Sequence, residues 1–309
     1  MKRTMMAALL TGASLPAMAL PPVGDPGLSG VVNLGYSGGE IETNFLAKIQ
    51  GINEDLGPER IDSFDSPDSE SIALPVANYD VGWTFSNGTR VSVGSDVMDL
   101  VEFDQTTRLS VRHDFDGWGE FRVDGLFPST FTVQVFRDPY RTDRKRNRTD
   151  QEYSGGRFVW DRILDTGFGV KFTMQNKDVD NEQSGFNNDS LTDEERRLLD
   201  REGDILHAEV GYRFRLDGGH TLRPAVAYID RDLDGDAMAQ DGVIASLGHI
   251  FETDRIKVAS RISFASLEGD EDNPLFDEVN DGDTWTFTSI VSFPNPVSYT
   301  HLRAHETRS

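Results

Sequence analysis

Ala77-Asn78-Tyr79-Asp80-Val81-Gly82-Trp83-Thr84-Phe85 alternates without a slip. Successive side chains of an extended chain point to opposite faces. Ala77, Tyr79, Val81, Trp83 and Phe85 therefore share one face, and Asn78, Asp80, Gly82 and Thr84 share the other. Asn87-Gly88 follows, a pair that favours a two-residue hairpin turn. Beyond it Val91, Val93 and Val97 alternate with Arg90, Ser92, Gly94 and Asp96. The stretch predicts an antiparallel hairpin with one apolar and one polar face.

The same grammar repeats outward from this hairpin. Leu109, Val111 and Phe115 oppose Arg108, Ser110, Arg112 and Asp114, and after Asp116-Gly117 the residues Phe121, Val123 and Phe127 oppose Arg122 and Asp124. Val170, Phe172 and Met174 oppose Lys171, Thr173 and Gln175, and Leu206 to Phe214 alternates with His207, Glu209, Gly211 and Arg213. Ile256 to Phe264 alternates with Lys257, Arg261 and Ser263, and Trp285, Phe287 and Val291 alternate with threonines. About twelve such strands can be read, each near the length of a tilted membrane strand.

A soluble antiparallel sheet also has one polar face, so two further features decide. Short turns near Asn87-Gly88, Asp116-Gly117, Asp165-Thr166-Gly167, 216–220 and 251–254 alternate with long polar segments at 37–71, 137–152, 178–204, 230–241 and 267–283. The brief link at 101–105 is the one exception. Aromatic residues gather at the short turns: Trp83, Phe85, Phe115, Trp118, Phe168, Tyr212, Phe214 and Phe251. Short periplasmic turns, long external loops and an aromatic girdle are the marks of an outer-membrane barrel. The expected fold is an all-β, antiparallel, up-and-down transmembrane β-barrel. In hydrocarbon every backbone polar group must be paired, and a closed sheet meets that demand.

Composition agrees. A net charge of -23 argues against a nucleic-acid partner, which requires a basic surface. No apolar run after the N-terminus approaches the ~20 residues of a membrane helix. Cysteine is absent, so neither lipoprotein anchoring nor disulfides enter. Lys2 and Arg3, the apolar run 5–15 and Ala17-Met18-Ala19 have the three parts of a cleaved signal peptide over 1–19. Residues 20–296 are expected to form the barrel. Val297 to Thr307 resembles a translated sequencing adapter, so 297–309 is read as a non-native tail that replaces the closing strands.

Leu191-Thr192-Asp193-Glu194-Glu195-Arg196-Arg197-Leu198-Leu199-Asp200-Arg201, with Lys177 to Glu182 upstream and Asn273-Pro274-Leu275-Phe276-Asp277 downstream, resembles a family of Gram-negative exported proteins known as domain of unknown function 2860. The resemblance runs from about Gly27 to Asn295. It implies an outer-membrane barrel of about fourteen strands, the last two of them beyond the native sequence here. It implies no catalytic residues.

The inward faces are expected to carry Arg90, Arg108, Arg112, Arg122, Lys171, Arg213, Arg223, Lys257 and Arg261, together with Asp80, Asp96, Asp114, Asp124 and Glu209. They either line a positive lumen that guides anions or pair with one another and fill it. Asp230, Asp232, Asp234, Asp236 and Asp241 have the spacing of a calcium loop, with Gly235 at the turn; an acidic hairpin is the other reading. Arg141, Arg144, Lys145, Arg146 and Arg148 could grip lipopolysaccharide phosphates, constrict the lumen or lie solvated. Thr192 and Glu195 form a capping box, predicting a short helix over 193–201. No recognisable nucleophile or zinc spacing involves the six histidines, and enzymatic chemistry is not expected.

The expected location is the outer membrane. Expected partners are its lipid and lipopolysaccharide, the barrel-assembly machinery and small solutes. The leading role is a porin-like passive channel for small polar or anionic solutes. A non-conducting barrel with a binding or structural role at the surface is the rival, and a soluble periplasmic β-protein the third reading.

Overall fold

The computed structural model describes residues 26–42, 44–49, 54–63, 69–95, 106–129, 133–142, 144–253 and 256–292. The expected signal segment 1–19 and tail 297–309 lie outside the described residues, as does Asp96. The described strands are β1 (Gly27–Glu42), β2 (Leu46–Ile49), β3 (Glu54–Asp55), β4 (Ser69–Thr84), β5 (Arg90–Ser95), β6 (Thr106–Phe115), β7 (Gly119–Pro128), β8 (Val133–Phe136) and β9 (Arg148–Asp161). They continue with β10 (Phe168–Val179), the short helix α1 (Asp193–Arg197), β11 (Gly203–Tyr212), β12 (Phe214–Arg215), β13 (His220–Leu233), β14 (Gln240–Glu252), β15 (Lys257–Gly269), β16 (Asp272–Asn273), β17 (Glu278–Val279) and β18 (Gly282–Ser292).

Twelve strands follow one antiparallel path, β1-β4-β5-β6-β7-β9-β10-β11-β13-β14-β15-β18, in chain order. This is the up-and-down sheet expected from the alternation. The sheet bends round until β1 and β18 lie side by side, with Cα atoms within 8 Å. No hydrogen-bonded ladder joins them among the described residues, so the sheet is not closed.

Several boundaries differ from expectation. The ladder between β1 and β4 runs on from Ser37↔Leu74 to Glu42↔Ser69, through a region expected to be loop. The hairpin at Asn87-Gly88 has three central residues: Gly88 N–H donates to the Phe85 carbonyl at 3.0 Å, and Phe85 N–H to that of Thr89 at 2.8 Å. Gly88 is left-handed, with φ of 79°, which suits a type I turn closed by a glycine bulge. Helix α1 does begin on the Thr192–Glu195 capping box, but it ends at Arg197.

Sheet faces are inverted relative to a water-soluble sandwich. Trp83, Val93, Leu109, Val111, Val123, Phe127, Val210, Val226 and Phe287 point outward and are exposed, while Asp80, Arg90, Arg108, Arg122, Asp124 and Glu209 point inward and are buried. Alternation sets this pattern residue by residue, and a one-residue slip would reverse it.

Close backbone approach makes room for the large interior groups. A Cβ on Gly94 would lie 2.3 Å from the Tyr79 carbonyl oxygen, beside Asp80. Gly94→Val is therefore expected to cost ~1–3 kcal/mol through overpacking, read as a lower urea midpoint of the folded protein.

Candidate functional site

Strand parity places the interior charges, and the β4–β7 wall is a continuous ion-pair layer. Asp80 accepts from Arg90 at 2.8 Å, Arg108 at 3.1 Å and the Ser92 hydroxyl at 2.9 Å. Asp124 pairs with Arg122 at 3.0 Å and accepts from the Ser110 hydroxyl at 2.5 Å. Arg112 lies 3.6 Å from Glu120. Arg108 is only 1% exposed, a burial tolerable for a guanidinium because the Asp80 carboxylate faces it.

The opposite part of the sheet gathers charge round one carboxylate. Arg223 donates to Glu209 Oε1 at 3.2 Å, while Arg261 and Lys171 stand 3.6 and 4.0 Å from Oε2. Nearer the short turns, Arg213 bonds Asp161 at 2.6 Å, Arg162 bonds Asp114 at 2.5 Å and Lys257 lies 3.3 Å from Glu252. Among the described residues each of these interior cations stands beside a carboxylate. Asp114 differs from expectation in being partly exposed at the rim. Arg157, which donates to Thr173 at 3.2 Å from the buried face of β9, was missed. The adjacent Gly155-Gly156 blurs the alternation that would have revealed it.

Aromatic side chains gather on the outer face near the short turns. Phe115 packs edge-on against Phe121, which stacks on Trp160, and Phe168, Tyr212 and Phe214 form the next run. Trp83, Phe85 and Trp118 are exposed at the same end. Three histidines join this belt. His113 packs on Phe115, and His220 stacks on Phe251 with Nδ1 3.0 Å from His249 Nε2.

At the other end, the connecting segments fold together rather than lying solvated. Tyr140, Leu191, Leu199, Leu233 and Met238 form one buried apolar cluster, with Phe45, Leu275 and Phe276 packed against it. Leu233 ends β13, and the others come from the connections β1–β4, β8–β9, β10–β11, β13–β14 and β15–β18. Elements from both ends of the strand path thus meet in one cap.

Arg146, expected among the loop cations, is the buried pin of this cap. It donates to the carbonyls of Asn44 at 2.7 Å, Pro139 at 3.0 Å and Pro58, and its guanidinium lies 3.8 Å over the Phe136 ring. Burial pushes its pKa down to about 10, opposed by the charge of Asp138. Arg148 pairs with Asp55 and Glu59, and Lys145 with Glu59. Arg201 bonds Glu182 at 2.6 Å and the Phe136 carbonyl at 2.9 Å.

The calcium-loop arrangement of Asp230, Asp232, Asp234, Asp236 and Asp241 is corrected by the register. Asp230 faces Asp241 across β13 and β14, with Asp232 also on β13, so extended strand occupies what would be the coordinating turn. Gly235 serves a different need: a Cβ there would lie 2.4 Å from the Asp200 backbone nitrogen. Asp234 instead meets Asp200 and Glu202, their carboxylate oxygens lying within 4.8 Å of one another. Burial and neighbouring carboxylates raise the pKa of both Asp200 and Glu202.

Arg146→Ala is expected to remove ~2–4 kcal/mol from the cap, because three carbonyls lose their donor. The measurement is limited proteolysis, with cleavage in 137–147 and 182–201 at least about tenfold faster and the heat-modifiable gel shift of the sheet retained.

Comparison with solved structures gives an outer-membrane OmpT of Vibrio cholerae at 10% identity and TM-score 0.39, covering 88% of this chain and 98% of that one. The translocator domain of the autotransporter NalP from Neisseria meningitidis gives 9% identity and TM-score 0.37, covering 87% and 89%. An anion-selective porin from Comamonas acidovorans gives 9% and 0.31, covering 70% of this chain, which spans 57% of that porin's length. No curated protein matches the chain. The family model described as "Protein of unknown function (DUF2860)" matches residues 27–307, running into the segment set aside as tail, and the chain belongs to that family.

Proposed function

We propose that the protein is an outer-membrane β-barrel that passes small polar or anionic solutes through its charged interior. The observation that carries this reading is the inversion of the sheet: outward Val, Leu, Phe and Trp are exposed along the path while inward Arg, Asp and Glu are buried. In water each such apolar side chain forgoes ~1.5–3 kcal/mol of burial, which only a surrounding hydrocarbon returns. A soluble periplasmic β-protein would turn that face to its core. The aromatic belt marks the level at which hydrocarbon gives way to the periplasm. The role assigned is passage rather than chemistry.

A second reading is favoured by a specific observation. The cap around Tyr140 draws together connections from both ends of the strand path, and the β4–β7 ion pairs are packed tightly. A barrel so covered could serve as a non-conducting surface protein.

Two measurements test these readings. Val111→Arg should cost ~2–4 kcal/mol in lipid vesicles if this face meets the bilayer midplane; an unchanged urea midpoint would remove the membrane assignment. In planar bilayers, the protein should give ion-conducting steps with a reversal potential favouring anions. A folded, inserted protein that never conducts would leave the surface-protein reading.

A further inference from the structure

Among the described residues, the interior has two carboxylate hubs of different construction. At Asp80, two guanidiniums and a hydroxyl close on the carboxylate at 2.8–3.1 Å. At Glu209, one carboxylate sits among three cations brought by β10, β13 and β15, at 3.2 to 4.0 Å. The looser hub is also the more accessible: the side chains of Lys171 and Arg223 are 15% and 14% exposed, against 4% and 2% for Arg90 and Arg108 at Asp80, while Arg261 lies behind them at 4%. His207, two residues along the same face, feels the charges of Lys171 and Arg261 and has a buried Nδ1 without a hydrogen-bond partner.

We infer that Lys171, Arg223 and Arg261 form an oxyanion-binding site in the lumen, for a solute carboxylate or phosphate, with Glu209 as the resident group that competes for it. The site already holds a carboxylate, so its donors have the spacing and charge that such a group requires. Arginine presents several N–H donors in a planar fork, so one edge can keep Glu209 while another meets a solute. Lysine turns its ammonium to either. Three cations round one carboxylate leave positive charge for an arriving oxyanion, and Glu209, which stays attached to the wall, competes for the same donors so that a solute can also leave. The inference rests on the interior being a polar passage and names the chemistry of the solute.

The test is isothermal titration calorimetry on the folded full chain in detergent, with succinate and inorganic phosphate as separate probes. Binding of either probe is expected, and the tighter one identifies the oxyanion class. Glu209→Gln removes the competitor and should tighten binding about tenfold, whereas Lys171→Gln should weaken it by about the same factor. Lys171→Gln retains the Arg223–Glu209 bond and guards against misfolding, which the heat-modifiable gel shift reports. No heat from either probe with the wild type and Glu209→Gln, or equal affinities across all three proteins, overturns the site. Binding with the expected variant pattern in a protein that never conducts removes the passage reading alone. Conduction without binding removes the site alone.

Discussion

Arg108 can be buried because Asp80 is buried opposite it, and the rest of the architecture follows from pairings of this kind. Taking a guanidinium out of water costs several kcal/mol unless a carboxylate and further donors compensate. Here compensation comes from adjacent strands: Asp80 on β4 serves Arg90 on β5 and Arg108 on β6. Those pairs therefore specify register, since a slip by one residue would carry the charges to the outside and the valines inward. The same alternation leaves an apolar outer face, so polar interior and greasy exterior are two consequences of one period.

The cap follows a different logic. Its apolar residues are few, one or two from each connection, and no single connection could bury them alone. Assembled, they enclose Tyr140, whose hydroxyl meets Met238 Sδ at 3.3 Å and Asn273 Nδ2 at 3.3 Å. Burial raises the phenol to about 12 and keeps it neutral. Buried cations then do for the loop backbone what ladders do for the sheet. Arg146 and Arg201 donate to carbonyls that irregular segments would otherwise leave unpaired. Asp138 complements them by accepting from the backbone nitrogens of Tyr140, Gly185 and Asn187.

This contrast explains what could be read from the chain. Strand parity, the turn end and the aromatic belt were legible because a two-residue period writes them locally: Tyr79, Val81 and Trp83 alternate with Asp80 and Gly82 whatever lies elsewhere. The Thr192–Glu195 cap was legible for the same reason. Pairing partners were legible only as inventory. Parity assigns Glu209, Lys171, Arg223 and Arg261 to one face, but which cations share the carboxylate depends on sheet curvature. The loop cluster was illegible because Phe45, Tyr140, Leu199 and Phe276 have no mutual period. The calcium-loop spacing misled because Asp230 and Asp232 belong to a strand that continues beyond its expected end, and Gly235 answers to a neighbouring backbone.

Charge is also divided between the two regions, and the division bears on the proposed passage. The acidic excess of the chain gathers at the loop end, where Asp178, Glu202, Asp204, Asp232 and Asp234 line one cavity of about 250 Å³. An anion approaching that end meets like charge. Screening decides how much this matters: at physiological salt the Debye length is ~8 Å, so exposed carboxylates repel only at close range. Interior groups lie in a setting where water and salt screen less, so the Glu209 cluster acts with more of its charge per group. In the proposed passage, discrimination between anions and cations would therefore be set inside the wall of the sheet, and the acidic loops would govern the rate at which solutes arrive.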